Sequence, residues 1–337
     1  LTVLTEDAVC QSRGTIDFTM TGSKLIGQDP DVIKYDRGHT TDALGSLVLD
    51  NLEWDTYDIA LTSANFYLTG SLPSLPMTLA PGSDERLELI VDQKTPVALL
   101  VEVLDIGTGL PIEKATVTLT GPGYANTLYT GEGYWQQTDW SGGPGQSDFT
   151  DSTRFFEYSM TLDIDNPAGE LRLRDQGASY ASSGWLVSST FDNATSTNFY
   201  HLTIRPQDQP QQTGTDPVRV QIASNNDNST WNFIGPDGTA NTYYTPANQT
   251  LYEGHNGDRY IRYRVTLQTE DTSFTPNVSD IAISFASECT PSGQAYFNDV
   301  GTGEYTITIN KDGYKEYTDT LNLQSGWQKT IAHLEPL

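Results

Sequence analysis

Four histidines, His39, His201, His255 and His333, are the first place to look for acid–base or metal chemistry. No two stand at metal-ligand spacing, and none falls in a nucleophile motif. Asp105-Ile-Gly-Thr-Gly has the outline of an aspartic-protease signature. It aligns with Asp7–Cys10, where the chain turns between strands, so it reads as a turn. Carboxylate pairs abound in so acidic a chain, and none is singled out as the acid and base of a glycosidase. The chain reads as a non-enzyme.

Binding is the next possibility. Calcium takes six to eight oxygens from carboxylates and carbonyls. Asp148, Asp151, Asp163 and Asp165 offer such oxygens, as does the Asn225–Asn228 run, but none sits in an EF-hand loop. Turn chemistry accounts for the same residues. Tyr134, Trp135 and Trp140 lie in a Gly-rich stretch, where flat rings could take the face of a sugar or cap a core. Trp185 and Trp231 sit in strand-like words and read as core. Four Asn-x-Ser/Thr sequons, Asn193, Asn228, Asn248 and Asn277, are candidate glycosylation sites in a chain so rich in Asn, Ser and Thr that several arise by chance.

The elements that position these residues are strands. Short runs rich in Val, Ile, Thr, Tyr and Phe alternate with polar residues between Gly, Asp, Asn and Pro turns, as in Thr116-Val-Thr-Leu-Thr and Tyr260-Ile-Arg-Tyr-Arg-Val-Thr-Leu. Period-two alternation means one buried and one wet face, hence antiparallel sandwiches. The 337 residues suffice for two or three cores. A net charge of −26 repels phosphate backbones and anionic membranes. No window carries the roughly 18 apolar residues of a membrane span. The chain opens on Leu1 inside an apparent strand, as a mature or trimmed segment of a secreted protein would, with any anchor lost upstream.

The end of the chain repeats its beginning. Ile16-Asp-Phe18-Thr-Met20-Thr-Gly22 returns as Ala115-Thr-Val117-Thr-Leu119-Thr-Gly121, shifted by 99 residues. Gly45 and Tyr57 return as Gly293 and Tyr305, shifted by 248. The difference implies an insertion of about 149 residues in the second copy. The expected domains are 1–93, a second split across 97–130 and 286–337, and an insert at 131–285. The first has expected strands at Leu1–Thr5, Thr15–Thr21, Asp31–Tyr35, Ser46–Leu49, Tyr57–Leu61, Met77–Leu79 and Arg86–Val91. The insert has eight or nine, among them Thr230–Ile234 and Asn241–Tyr244, as a jelly roll would. The short linker Gln93–Pro96 predicts two sandwiches end to end with limited freedom.

Thr41–Ile59, with Gly45 before Tyr57, Gly293 before Tyr305, and the closing Gly313-Tyr314-Lys315, resembles carboxypeptidase-regulatory-like and CnaB-type domains. The insert words Ser183-Gly-Trp185-Leu-Val, Gln221-Ile-Ala-Ser-Asn225 and Asp258-Arg-Tyr-Ile-Arg-Tyr-Arg264 resemble a module of bacterial surface and type IV pilus-associated proteins. The resemblance implies an all-β architecture: two immunoglobulin-like (prealbumin-like) sandwiches in series, the second split by an inserted jelly roll. Some CnaB-type domains carry a Lys–Asn or Lys–Asp isopeptide bond. Leu1–Thr5 and Leu99–Leu104 lack the lysine it needs, so none is expected.

The functional expectation is a non-enzymatic extracellular protein of a surface fibre, pilus or stalk, presenting the jelly roll. Its partners would be neighbouring copies or other surface proteins, joined through sheet edges at both termini. The rivals are a carbohydrate-binding adhesin and the accessory module of a polysaccharide-degrading enzyme. Cys10 and Cys289 fall in different sandwiches, and the expectation is free thiols or a link to a neighbouring molecule.

Overall fold

A computed structural model describes residues 1–337. The chain is all-β, with no α-helix and with several sandwiches. It divides into two compact units, Leu1–Glu132 with Ser287–Leu337, and Gly133–Ala286.

The first unit holds two sandwiches. In the first, a sheet ordered Ser46–Val48, Thr2–Glu6, Arg86–Gln93, Phe66–Leu72 faces one ordered Asp36–Thr40, Asp17–Gly22, Asp55–Leu61, Met77–Leu79. Val3, Phe18, Met20, Tyr57, Leu87 and Leu89 fill the space between them. The alternation that puts them there is plain in Asp17–Gly22, whose even-numbered residues are buried. The edge strand lies at Asp36–Thr40 rather than Asp31–Tyr35, because Val32–Ile33 turns back on Leu25–Gly27 as a small hairpin. Phe66–Leu72 is a strand that the pattern did not flag; the prolines beside it made the region read as a loop.

In the second sandwich a sheet of Gln294–Phe297, Val97–Asp105 and Gly326–Leu334 faces one of Tyr124–Tyr129, Thr116–Gly121, Gly303–Asn310 and Tyr317–Leu323. The two sandwiches place matched residues alike. Gly45 (φ 77°) and Gly293 (φ 69°) each turn the chain against a first strand, their carbonyls accepting the amides of Thr5 and Val103, both at 2.8 Å. A side chain on Gly45 would collide with the Thr5 carbonyl and one on Gly293 with Pro111, so only glycine fits. Tyr57 lies beside Gly22 and Tyr305 over Gly121. In both sandwiches the first strand pairs in parallel with the last, Thr2–Glu6 with Arg86–Ile90 and Val97–Asp105 with Gly326–Leu334.

The second unit begins and ends on paired strands, Gly133–Gln137 against Ile281–Phe285. Its main sheet runs Gly133–Gln137, Asp280–Ala286, Phe191–Arg205, Asp258–Gln268, Ser183–Val187, Glu157–Tyr158, with Val218–Asn225 on the other edge of Asp258–Gln268. The fifteen-residue strand Phe191–Arg205 breaks register twice, pairing first with Asp258–Ile261 and then with Asp280–Ala286. It thereby joins two halves of the unit. Tyr263, fully buried on one half, donates its hydroxyl to Gln137 Oε1 (2.5 Å) on the other. The expected strands Thr230–Ile234 and Asn241–Tyr244 reduce to single bridges at Ile234 and Tyr244. Asp227 explains the first: it gathers the amides of Ser229 and Thr230 and the Thr230 hydroxyl, which makes a turn.

Candidate functional site: a cross-braced junction of two sandwiches

The densest constellation in the first unit is the seam between its sandwiches. They do not simply meet end to end. Strand Phe66–Leu72 lies along the second sandwich, and Gln294 reaches over to it: its Oε1 accepts the Ser71 amide and its Nε2 donates to the Ser71 carbonyl, both at 3.1 Å. Gln294 is 5% exposed and Ser71 3%, so this pair is dry, and a buried amide left unbonded would cost about 1–3 kcal/mol. The Trp327 indole donates to the Leu68 carbonyl (2.6 Å). Lys329 donates to the Leu75 carbonyl (3.0 Å) and pairs with the buried Glu102 (2.8 Å). Lys329 thus neutralises a core carboxylate and crosses the seam at once.

A covalent brace closes the other side. Cys10 and Cys289 form a disulfide with Cα atoms 5.3 Å apart, which corrects the expectation of free or intermolecular thiols. The turn Asp7–Cys10 is brought to Ser287–Cys289, and the Ser287 hydroxyl donates to the Ala8 carbonyl (2.6 Å). Glu6 joins the two cysteines in a cluster of metal-ligand type. Both sulfurs are spent on each other, so the cluster offers one carboxylate. Burial, with Glu88 nearby, raises the Glu6 pKa.

The sequence candidates fare unevenly. Trp140 is fully buried, its indole donating to Tyr263 (2.9 Å), and no sugar can reach it. Trp135 is half-buried on a strand, donating to Asn193 (2.8 Å) and stacking on Phe191 at 5.4 Å. With Tyr134 on the alternate face of that strand, the trio is not one platform. Asp151 is spent on Thr153, whose hydroxyl and amide lower its pKa. Asp163 faces Arg174 (3.4 Å) and takes the Asp175 amide. Asp148 sits in a bridge with Thr190, and Asp165 is exposed. Asn193 is completely buried, which removes it as a glycosylation site in the folded chain. Asn228 is exposed, while Asn248 and Asn277 are half-buried. Asp105 accepts the amides of Gly107 and Thr108, the same turn-capping that Asp7 performs for Val9 and Gln11. Trp185 and Trp231 are half-buried against arginines, not in the core.

Two arrangements were not foreseen. Ser224, His255 and Asp258 converge, but both partners bond the same hydroxyl: Ser224 Oγ lies 2.7 Å from His255 Nδ1 and 2.6 Å from Asp258 Oδ2. The serine donates to the carboxylate and accepts from the imidazole, so His255 is not its base, as a nucleophile would require. A pocket of about 380 Å³ opens in the first sandwich beside Lys34, Tyr35, Arg37, His39, Glu53 and Tyr57. Glu53 already holds Lys24 (3.2 Å) and Lys34 (2.5 Å). No helix is long and apolar enough to cross a membrane.

No family model and no curated protein matches the chain. Among solved structures it is similar to a streptococcal ancillary pilin (8% identity, TM-score 0.22), covering all of this chain and 61% of that one. It is also similar to the BcpA major pilin subunit of Bacillus cereus (7% identity, TM-score 0.28, 99% and 98% covered). A third is the SpaA shaft pilin of Lactobacillus rhamnosus GG (11% identity, TM-score 0.18, 100% and 96% covered). The chain spans about three-fifths of the streptococcal pilin. Superpositions this loose carry no inference, and function has to come from the chain's own geometry.

Proposed function

We propose that the chain is a non-enzymatic structural component of an extracellular fibre, pilus or stalk, in which residues 131–285, read as a jelly roll, are the module presented. The braced seam carries this reading. A disulfide persists in oxidising surroundings, which points outside the cytoplasm. This one ties together two sandwiches that are also joined by Gln294, Trp327 and Lys329. A stalk needs such a joint, because hinge motion between domains is the default where an interface is small. The parallel ladder of Val97–Asp105 with Gly326–Leu334 adds to it. Tension applied at the two ends of that sandwich loads nine residue pairs together rather than unzipping them one by one.

Immunogold electron microscopy of the source cells tests the reading. Label along filaments or stalks supports it. Label confined to the cytoplasm or to free monomer in the medium overturns it.

A further inference from the structure

The two sandwiches of the first unit match residue for residue, but the second is one strand short. In the first, the sheet of Ser46–Val48, Thr2–Glu6 and Arg86–Gln93 is completed by Phe66–Leu72, antiparallel to Arg86–Gln93. In the second, Gln294–Phe297, Val97–Asp105 and Gly326–Leu334 fill the same three places, and no fourth strand follows. Thr5 and Val103 hold the matching glycine turns, so Thr2 answers to Leu100. Thr2 lies opposite Arg86, and Leu100 opposite Lys329. Glu88 and Ile90, which pair with Leu72 and Gly70, therefore answer to Ile331 and His333, which have a strand on one side only.

The open edge is Gly326–Leu334. Its Gly326 amide bonds the Pro96 carbonyl, and its Leu334 carbonyl accepts the Ile106 amide. Even-numbered residues thus spend their N–H and C=O on Val97–Asp105, while Trp327, Lys329, Ile331 and His333 turn theirs outward. Proteins blunt such edges by keeping them short, bulging them, or placing proline or charge on them. This one is the longest edge strand of the unit, nine residues in unbroken register, with no proline and no carboxylate. Its one lysine is drawn away to Glu102 and the Leu75 carbonyl. Ile331 is 42% exposed, and His333 is exposed as well.

The same strand from a second copy fits this edge. An antiparallel two-fold about Thr330 sets Trp327 opposite His333 of the second copy and Lys329 opposite its Ile331. Outward residues then face outward residues, so all four exchange backbone hydrogen bonds and no like charges stand opposite. Centring on Lys329 would oppose two ammonium groups, and centring on Ile331 would drop Trp327 from the ladder. The net charge of −26 does not forbid this contact as it forbids phosphate. A nucleic acid or anionic membrane carries its charge into the contact, whereas this edge carries no carboxylate, and charges beyond about 8 Å are largely screened at physiological salt. We propose that Gly326–Leu334 pairs edge to edge with its own copy, joining two three-stranded sheets into one. This deepens the fibre reading by naming a contact between copies. A two-fold contact closes on itself, so a dimer without filaments, or filaments of a chain that stays monomeric in solution, would tell the two readings apart.

Sedimentation velocity of the full chain over a concentration series tests the pairing. A reversible dimer is expected, tightening several-fold as salt rises from about 50 to about 500 mM, because screening relieves the repulsion between two acidic bodies. Ile331→Pro removes an outward N–H that the fold does not use and should weaken the dimer at least about tenfold. Ile331→Lys, at an exposed position, sets an ammonium opposite Lys329 and should do the same without touching the core. Thr330→Cys should link the two copies under mild oxidation, since Cα atoms directly opposite at such a position stand about 4.5 Å apart, within disulfide reach. Gln328→Cys, opposite Ala332, should not. Monomer at every concentration, association that weakens with salt, a dimer unchanged by folded Ile331→Lys, or linkage at Gln328→Cys in preference to Thr330→Cys would each overturn the proposal.

Discussion

His255 is kept a neutral imidazole by its surroundings. It is 2% exposed, its Nδ1–H is given to Ser224, and its Nε2 is buried without a partner. Burial depresses its pKa to about 4 from 6.5, against the pull of Asp258. Between those values the unfolded chain takes up a proton that the folded chain refuses. Its contribution to stability is full above about pH 6.5 and falls as pH drops towards 4, by up to about 3 kcal/mol. Asp280 acts the other way. Burial raises it to about 6 from 3.8, against the Gln136 amide and Arg205. The folded chain holds that proton while the unfolded one has lost it, so this contribution is full below about pH 3.8 and lost as pH rises through 6. The two slopes offset each other. Urea unfolding from pH 4 to 7 should show His255→Gln gaining stability towards acid and Asp280→Asn losing it more steeply than the parent. Parallel profiles in all three would refute the assignment. Lys329 and Glu102 make a second residue-scale case. Lys329→Met strands a carboxylate with 3% exposure and should cost about 3–5 kcal/mol, most of it recovered by adding Glu102→Leu. Additive losses in the double variant would show that the pair is not coupled.

Strands, not side chains, decide how much could be read in advance. Gly45 and Gly293 were legible as a repeated pair because positive φ and a crowded approach restrict the residue type. Gly45→Ala and Gly293→Ala should each cost about 1–3 kcal/mol in chemical denaturation, since each adds φ strain and a clash, with the Thr5 carbonyl in one and with Pro111 in the other. A neutral result at either would mean that the turn relaxes freely. The alternation Asp258–Gln268 was equally visible, and its core side follows from it. Its outer side does not. Which residues flank Arg264 depends on the register with Val218–Asn225 and Ser183–Val187, sequence-distant partners that periodicity cannot choose. Trp185 and Trp231 look like core in the sequence for the same reason: an indole suits a core and an arginine's face equally well. The Cys10–Cys289 pairing was missed because a lateral seam, not an end-to-end contact, brings the two turns together.

At the scale of the whole chain, the question is whether Gly133–Ala286 depends on the unit that surrounds it in sequence. Strands on both sides of it pair with each other: Val97–Asp105 with Gln294–Phe297 and Gly326–Leu334, and Thr116–Gly121 with Gly303–Asn310. The segment itself starts and stops on the adjacent strands Gly133–Gln137 and Asp280–Ala286, so a short turn can close the gap it leaves. Replacing 133–286 with a Gly/Ser turn should therefore leave the first unit folded, and the disulfide supplies the readout. Cys10 and Cys289 both belong to the retained unit. They should oxidise to an intramolecular bridge in the shortened chain, seen as a single species by non-reducing mass spectrometry. Cys10→Ser in that background should lower stability by about 2–4 kcal/mol if the brace holds the seam. Were the shortened chain to collect as intermolecular disulfides or fail to fold, residues 287–337 could not reach 97–130 without the segment between them, and the stalk reading would lose the joint on which it rests.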